Sequence, residues 1–95
     1  MAFRTTRKAD EDIFSLYEHG VLEYGQLSAE SYVAALRAMF ELLAANPYIA
    51  RERHEARPPV RLYPHRAHHI IYVVDDEDVL ILRVLHGRQD WIRHL

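Results

Sequence analysis

Ninety-five residues, 49% of them apolar and none of them cysteine, suffice for one domain with its own core and exclude a disulfide scaffold or a thiol nucleophile. A formal net charge of −2 argues against a general nucleic-acid binder. No apolar run approaches the roughly 18 residues of a membrane span and no secretion signal opens the chain, so no membrane association and a cytoplasmic location are expected.

Residues 2–6 carry β-branched and aromatic side chains and predict a first strand. Asp10-Glu11-Asp12 places negative charge where a helix N-terminus favours it, and Ile13, Leu16, Tyr17 and Val21 or Tyr24 follow at helical spacing until Gly25. Ser28 is a suitable N-cap for a second helix, whose apolar stripe is Tyr32, Leu36, Met39, Phe40 and Leu43 and which stops at Asn46-Pro47. The short link between them predicts an antiparallel helical hairpin. Residues 50–59, charged and closed by two prolines, read as a surface loop.

The rest predicts three strands: Val60 to Tyr63, broken by Pro64, then Ala67 to Val74 and Val79 to Leu85 around the acidic turn Asp75-Asp76-Glu77-Asp78. The fold class expected for residues 1–95 is a single α+β domain: an N-terminal strand, an antiparallel helical hairpin, then a three-strand antiparallel meander. If Val74 pairs with Val79, Tyr72 lies opposite Ile81 and Ile70 opposite Arg83, with Val73–Leu80, Ile71–Leu82 and His69–Val84 on the other face. The face of Ile71, Val73, Leu80, Leu82 and Val84 is aliphatic and is expected to receive the hairpin. The face of Ile70, Tyr72, Val79, Ile81, Arg83 and Leu85 mixes apolar groups with a charge, as a groove filled by a partner would.

Charge divides the chain in half. Residues 1–50 hold four basic side chains against seven acids, while residues 51–95 hold eight arginines against seven acids and six of the seven histidines. The second half offers either a solvated mixed surface or a basic face for an acidic partner or a phosphate. His65-Arg66-Ala67-His68-His69 lacks recognised metal-ligand spacing, because His65 and His69 share one side of a strand and His68 takes the other; no metal is expected. His86, with Arg88 and Asp90, combines a group that titrates near neutrality with an arginine suited to phosphate, or is a structural strand-end histidine. Arg83, mid-strand among aliphatics, requires a carboxylate, from this chain or from a partner. Trp91 and Tyr72 are either core or contact aromatics. Three glycines supply no phosphate loop, no serine sits in a catalytic elbow, and no cofactor is expected.

Arg61-Leu62-Tyr63, His69 before Ile70-Ile71-Tyr72, the acidic turn, and Ile81-Leu82-Arg83-Val84-Leu85-His86-Gly87-Arg88 resemble the sheet of RelE/ParE superfamily toxins. Tyr17, Gly25, Tyr32, Leu36 and Pro47 resemble the family's hairpin. The resemblance is nearer the ParE branch, toxins of type II toxin–antitoxin pairs. It implies inhibition of DNA gyrase by binding rather than by catalysis, and neutralisation by a ParD-like ribbon-helix-helix antitoxin. No sequence-specific nucleic-acid binding by this chain itself is expected. On that reading Ile70, Tyr72, Ile81 and Arg83 bind the antitoxin, and Arg88, Trp91 and Arg93 of the C-terminal segment bind the target. The alternative, resembling the RelE branch, is a ribosome-dependent mRNA endoribonuclease using His86, Arg88, Arg61 and Glu52 (or Glu55 as the base). The chain departs from that branch in having one lysine, Lys8, at the wrong end. A third possibility is an adaptor without toxicity.

Overall fold

The computed structural model describes residues 1–95. It comprises β1 (Phe3–Thr5), α1 (Arg7–Tyr24), α2 (Gln26–Ala45), β2 (Glu52–Arg53), β3 (Val60–His65), β4 (His68–Asp75) and β5 (Asp78–His86), closed by a 3₁₀ turn over Trp91–His94. The strands form one sheet in the order β1-β5-β4-β3-β2. The α+β class and the strand, hairpin, meander order agree with the sequence reading. The sheet differs in detail: it is mixed, because β1 runs parallel to β5, and the expected loop 50–59 contributes a short extra strand, β2, antiparallel to β3.

Thr6 starts α1, four residues before the acidic cluster opens at Asp10. Its hydroxyl accepts from the Ala9 N–H at 3.0 Å, which caps the helix, and donates to the Leu82 carbonyl at 2.7 Å. Gly25, at φ +91°, both ends α1 and opens α2, so the link is a single residue and Ser28 lies inside the first turn of α2. That backbone is open to glycine and strained for other residues. Gly20, of a residue type unfavourable inside a helix, lies where the helices touch: a Cβ there would stand 3.3 Å from the Ala29 Cβ. Pro64 does not break β3. It pairs with His69, at a point where β2 no longer covers the strand and a proline is tolerated.

Leu36, Phe40 and Leu43 of α2 are buried together with Ala9, Ile70, Tyr72, Val79, Ile81 and Val84. The expected faces of the sheet are therefore exchanged: Ile70, Tyr72, Val79 and Ile81 receive the hairpin. Ile71, with Leu62, Val73 and Leu82, lies on the outer face, against Ala56, Val60, Leu85 and Trp91. Two physical reasons account for the exchange. Tyr72 needs no solvent or partner for its hydroxyl, which donates to the Pro47 carbonyl at 2.9 Å just beyond α2. The β4–β5 ladder matches the expected register from Val74–Val79 to Tyr72–Ile81, then shifts, so that Ile71 faces Arg83 and Ile70 faces Val84. Leu82 is the extra residue, a β-bulge that reverses the alternation beyond it. Val84 thereby joins the inner core, and Arg83 leaves the face it was expected to share with Tyr72.

Candidate functional site

Ile70, Tyr72 and Ile81, expected to meet an antitoxin, are each 0% exposed beneath the hairpin. Burying such a side chain stabilises a fold by about 1.5–3 kcal/mol, so they do not turn outward to meet a partner. Their assignment to a partner groove is corrected: they are core. Arg83 is partnered within the chain. Its Nε and Nη2 donate to the Asp12 carboxylate, both at 2.8 Å, with the two side chains only 16% and 15% exposed. This bidentate bond raises the already high Arg83 pKa, and Asp12 also accepts the Val84 N–H at 3.0 Å. Because β1 pairs with β5 only as far as Ile81, Thr6 and Asp12 complete the strand edge beyond it. The guanidinium Nη1 donates to the His94 carbonyl, which ties down the C-terminal turn.

Of the residues assigned to the target, Arg88 and Arg93 are exposed and Trp91 is half-buried. Trp91 packs on the outer sheet face, with the Arg53 guanidinium 5.5 Å from its ring centre. Ile92 and Leu95 beside it are exposed. The C-terminal segment therefore sits on the outer face through Trp91, separate from the inner core.

The four residues of the ribonuclease alternative do not come together. Glu52 pairs with Arg61, and Arg61 with Tyr72, whereas His86 pairs with His68, four positions along β4 or about 13 Å by strand rise. Arg61 is also engaged, donating to the Ala50 carbonyl with its guanidinium 5.0 Å from the Tyr48 ring centre. Arg88 donates its backbone N–H to the His86 Nδ1 at 3.1 Å.

Two features were missed in the sequence. Apolar residues crowd the exposed side and elbow of the hairpin: Leu22 and Leu27 are 86% and 81% exposed, with Phe14 and Tyr24 also exposed. Phe14, Tyr17, Val21 and Tyr24 recur at the spacing of one helix face, beside the core face of Ala9, Ile13 and Leu16. The second feature is a histidine cluster. A two-residue turn, Arg66-Ala67, sets His65 opposite His68, so they share a face, contrary to the expected parity. The Tyr32 hydroxyl meets the His68 Nδ1 at 2.6 Å, and the His68 and His86 ring centres are 5.5 Å apart. Burial pushes His68 below the ordinary histidine range, aided by the nearby His86, and burial then Arg66 does the same to His65. Burial raises Tyr32, against the pull of Arg66. These groups reach no three-ligand metal arrangement. Counting a tight turn at Arg66-Ala67 would have revealed the pairing.

The family model of the ParE toxin of type II toxin-antitoxin system, parDE, matches residues 3–91. Toxin ParE3 of Caulobacter vibrioides is 28% identical over 85 residues, covering 90% of this chain and 85% of that protein. Toxin ParE1 of Mycobacterium tuberculosis is 37% identical over 73 residues, covering 76% of this chain and 74% of the relative. A chain from the solved structure of the chromosomal ParDE TA system from P. aeruginosa superposes with a TM-score of 0.76 at 25% identity, over 90% of this chain and 95% of its own. With nearly the whole chain matched in sequence, and the strand, hairpin and meander shared in structure, this chain belongs to the ParE toxin family.

Proposed function

We propose that this protein is the toxin of a type II pair, acting by binding DNA gyrase and held inactive by a ParD-like antitoxin. The family match over residues 3–91 carries this reading. The exposed apolar residues of the hairpin, Phe14, Leu22, Tyr24 and Leu27, offer an amphipathic antitoxin helix the contact first sought on the inner sheet face. Arg88, Trp91 and Arg93 remain the proposed target contacts, since arginine and tryptophan are enriched at interfaces and terminal segments reach large partners easily. No helix is long and apolar enough to cross a membrane, and a cytoplasmic site of action fits an intracellular target.

The test is DNA supercoiling by purified gyrase, with the full chain added alone or with the antitoxin encoded beside it. Inhibition with accumulation of cleaved DNA, reversed by the antitoxin, is expected. Unimpaired supercoiling together with ribosome-dependent mRNA cleavage would replace this reading with the ribonuclease one, although its expected residues are dispersed.

A further inference from the structure

We infer that the cavity at the hairpin elbow binds a nucleotide, its phosphate held by Arg66, His68 and His86 and its base against Tyr24. The cavity is about 690 Å³, within the range of small-molecule sites. It lies between the elbow of α1 and α2 and the β3–β4 turn. None of its 13 lining residues is acidic, although the chain has 14 Asp and Glu. An anion is thus admitted without repulsion from the wall.

Hydrogen-bond chemistry makes this wall a set of donors. His86 Nδ1 accepts the Arg88 backbone N–H, so its remaining ring nitrogen, Nε2, carries a proton even when the ring is neutral. Tyr32 and His68 Nδ1 share a hydrogen bond of 2.6 Å, and with the phenol as its donor His68 Nε2 is a donor in the same way. Arg66 contributes a planar guanidinium, 5.6 Å from the Tyr32 ring centre. Three donor side chains from a turn, β4 and β5 therefore border one cavity, and a phosphate has three oxygens to engage them.

The other arm of the cavity is apolar, with Leu16, Leu27 and the exposed ring of Tyr24. A flat aromatic base stacks on such a ring irrespective of its identity. Inorganic phosphate leaves this arm empty, and a peptide carboxylate offers only two oxygens to the donors. A ring joined to a phosphate occupies both arms, whether as a free nucleotide or as the end of a strand. The phosphate-holding residues, Arg66, His68 and His86, lie outside the proposed gyrase and antitoxin contacts, whereas the apolar arm shares Tyr24 and Leu27 with the proposed antitoxin surface.

Calorimetric titration of the full chain tests this with AMP, adenosine, inorganic phosphate, a 5′-phosphorylated single-stranded oligonucleotide and an acidic, tyrosine-bearing peptide. AMP is expected to bind at least about tenfold more tightly than adenosine or inorganic phosphate. Arg66→Gln and His86→Gln are each expected to weaken it by about tenfold or more, whereas Arg51→Gln, which removes the same charge as Arg66→Gln but outside the cavity wall, changes it by less than about twofold. All three residues are exposed, so the variants are expected to melt like the parent. An oligonucleotide tighter than AMP identifies a strand end as the ligand, and equal affinities identify the free nucleotide. Equal binding of adenosine and AMP, equal effects of Arg66→Gln and Arg51→Gln, binding of the peptide alone, or no binding at all would overturn the inference.

Discussion

Arg83 is anchored from within its own chain. A mid-strand guanidinium requires a carboxylate, and Asp12 meets that requirement with two bonds of 2.8 Å. Arg83→Ala leaves the Asp12 charge enclosed and is expected to cost about 3 kcal/mol, while Arg66→Ala, at an exposed turn, costs about 0–1 kcal/mol. Thermal melts of both variants check this, and equal losses would contradict the pairing. The histidines predict a pH dependence. Folding lowers the pKa of His68 and His65, chiefly by burial, so below about pH 6.5 the unfolded chain binds more protons than the folded one. Their contribution is complete above that pH and is lost as pH falls through the folded values. The melting temperature is therefore expected to drop on acidification from about pH 7 to 5, and His68→Gln to flatten the drop. An unchanged slope in the variant would count against the burial of His68.

At the scale of elements, Thr6 joins the start of α1 to the bulge in β5. Thr6→Val removes both the helix cap and the donor to the Leu82 carbonyl, an expected cost of about 2 kcal/mol, or roughly 8–16 °C in melting temperature. Thr6→Ser keeps both bonds and is expected to restore most of it. The same region marks where the sequence ceased to be legible. The stripe through Leu36, Phe40 and Leu43, the stop at Asn46-Pro47 and the register from Val74–Val79 to Tyr72–Ile81 follow from local periodicity and turn chemistry, and all are present. The bulge at Leu82 has no local signature, since neither glycine nor proline marks it. It is specified by Thr6 and Asp12, more than 70 residues away. The wrong choice of sheet face had a similar origin. Tyr72 looked too polar for an inner core because its acceptor, the Pro47 carbonyl, is a backbone atom 25 residues distant that no side-chain pattern reveals. The core assignment excluded Ile70, Tyr72 and Ile81 as contacts, and the C-terminal assignment of Arg88, Trp91 and Arg93 awaits experiment. Deleting Ile92 to Leu95 tests it: gyrase inhibition should be lost while antitoxin binding and cooperative melting persist, and full inhibition by the shortened chain would refute it.

For the whole molecule, the inner core is complete without a partner, yet the hairpin carries large apolar groups in water. Leu22→Asp and Leu27→Asp alter side chains that contribute little to the core, so the melting temperature should move by no more than a few degrees. Antitoxin affinity should fall by about tenfold or more for each if this surface carries the contact. Retention of full affinity by both variants would place the antitoxin elsewhere. Assembly of the domain also has a direction in time. β1 is the first of the five strands to be synthesised, and its only neighbour in the sheet, β5, is the last. Phe3 packs on Phe40 at 5.3 Å between ring centres, but the ladder that fixes it needs Val79 to Ile81. Until those residues leave the ribosome, the hairpin has no β5 to cover, and the nascent chain is held open by its own topology. A premature stop codon anywhere before β5 therefore yields an unfolded chain rather than a weakened toxin, destined for proteases. Lesions late in the reading frame, up to β5, then silence the gene as completely as lesions at the start.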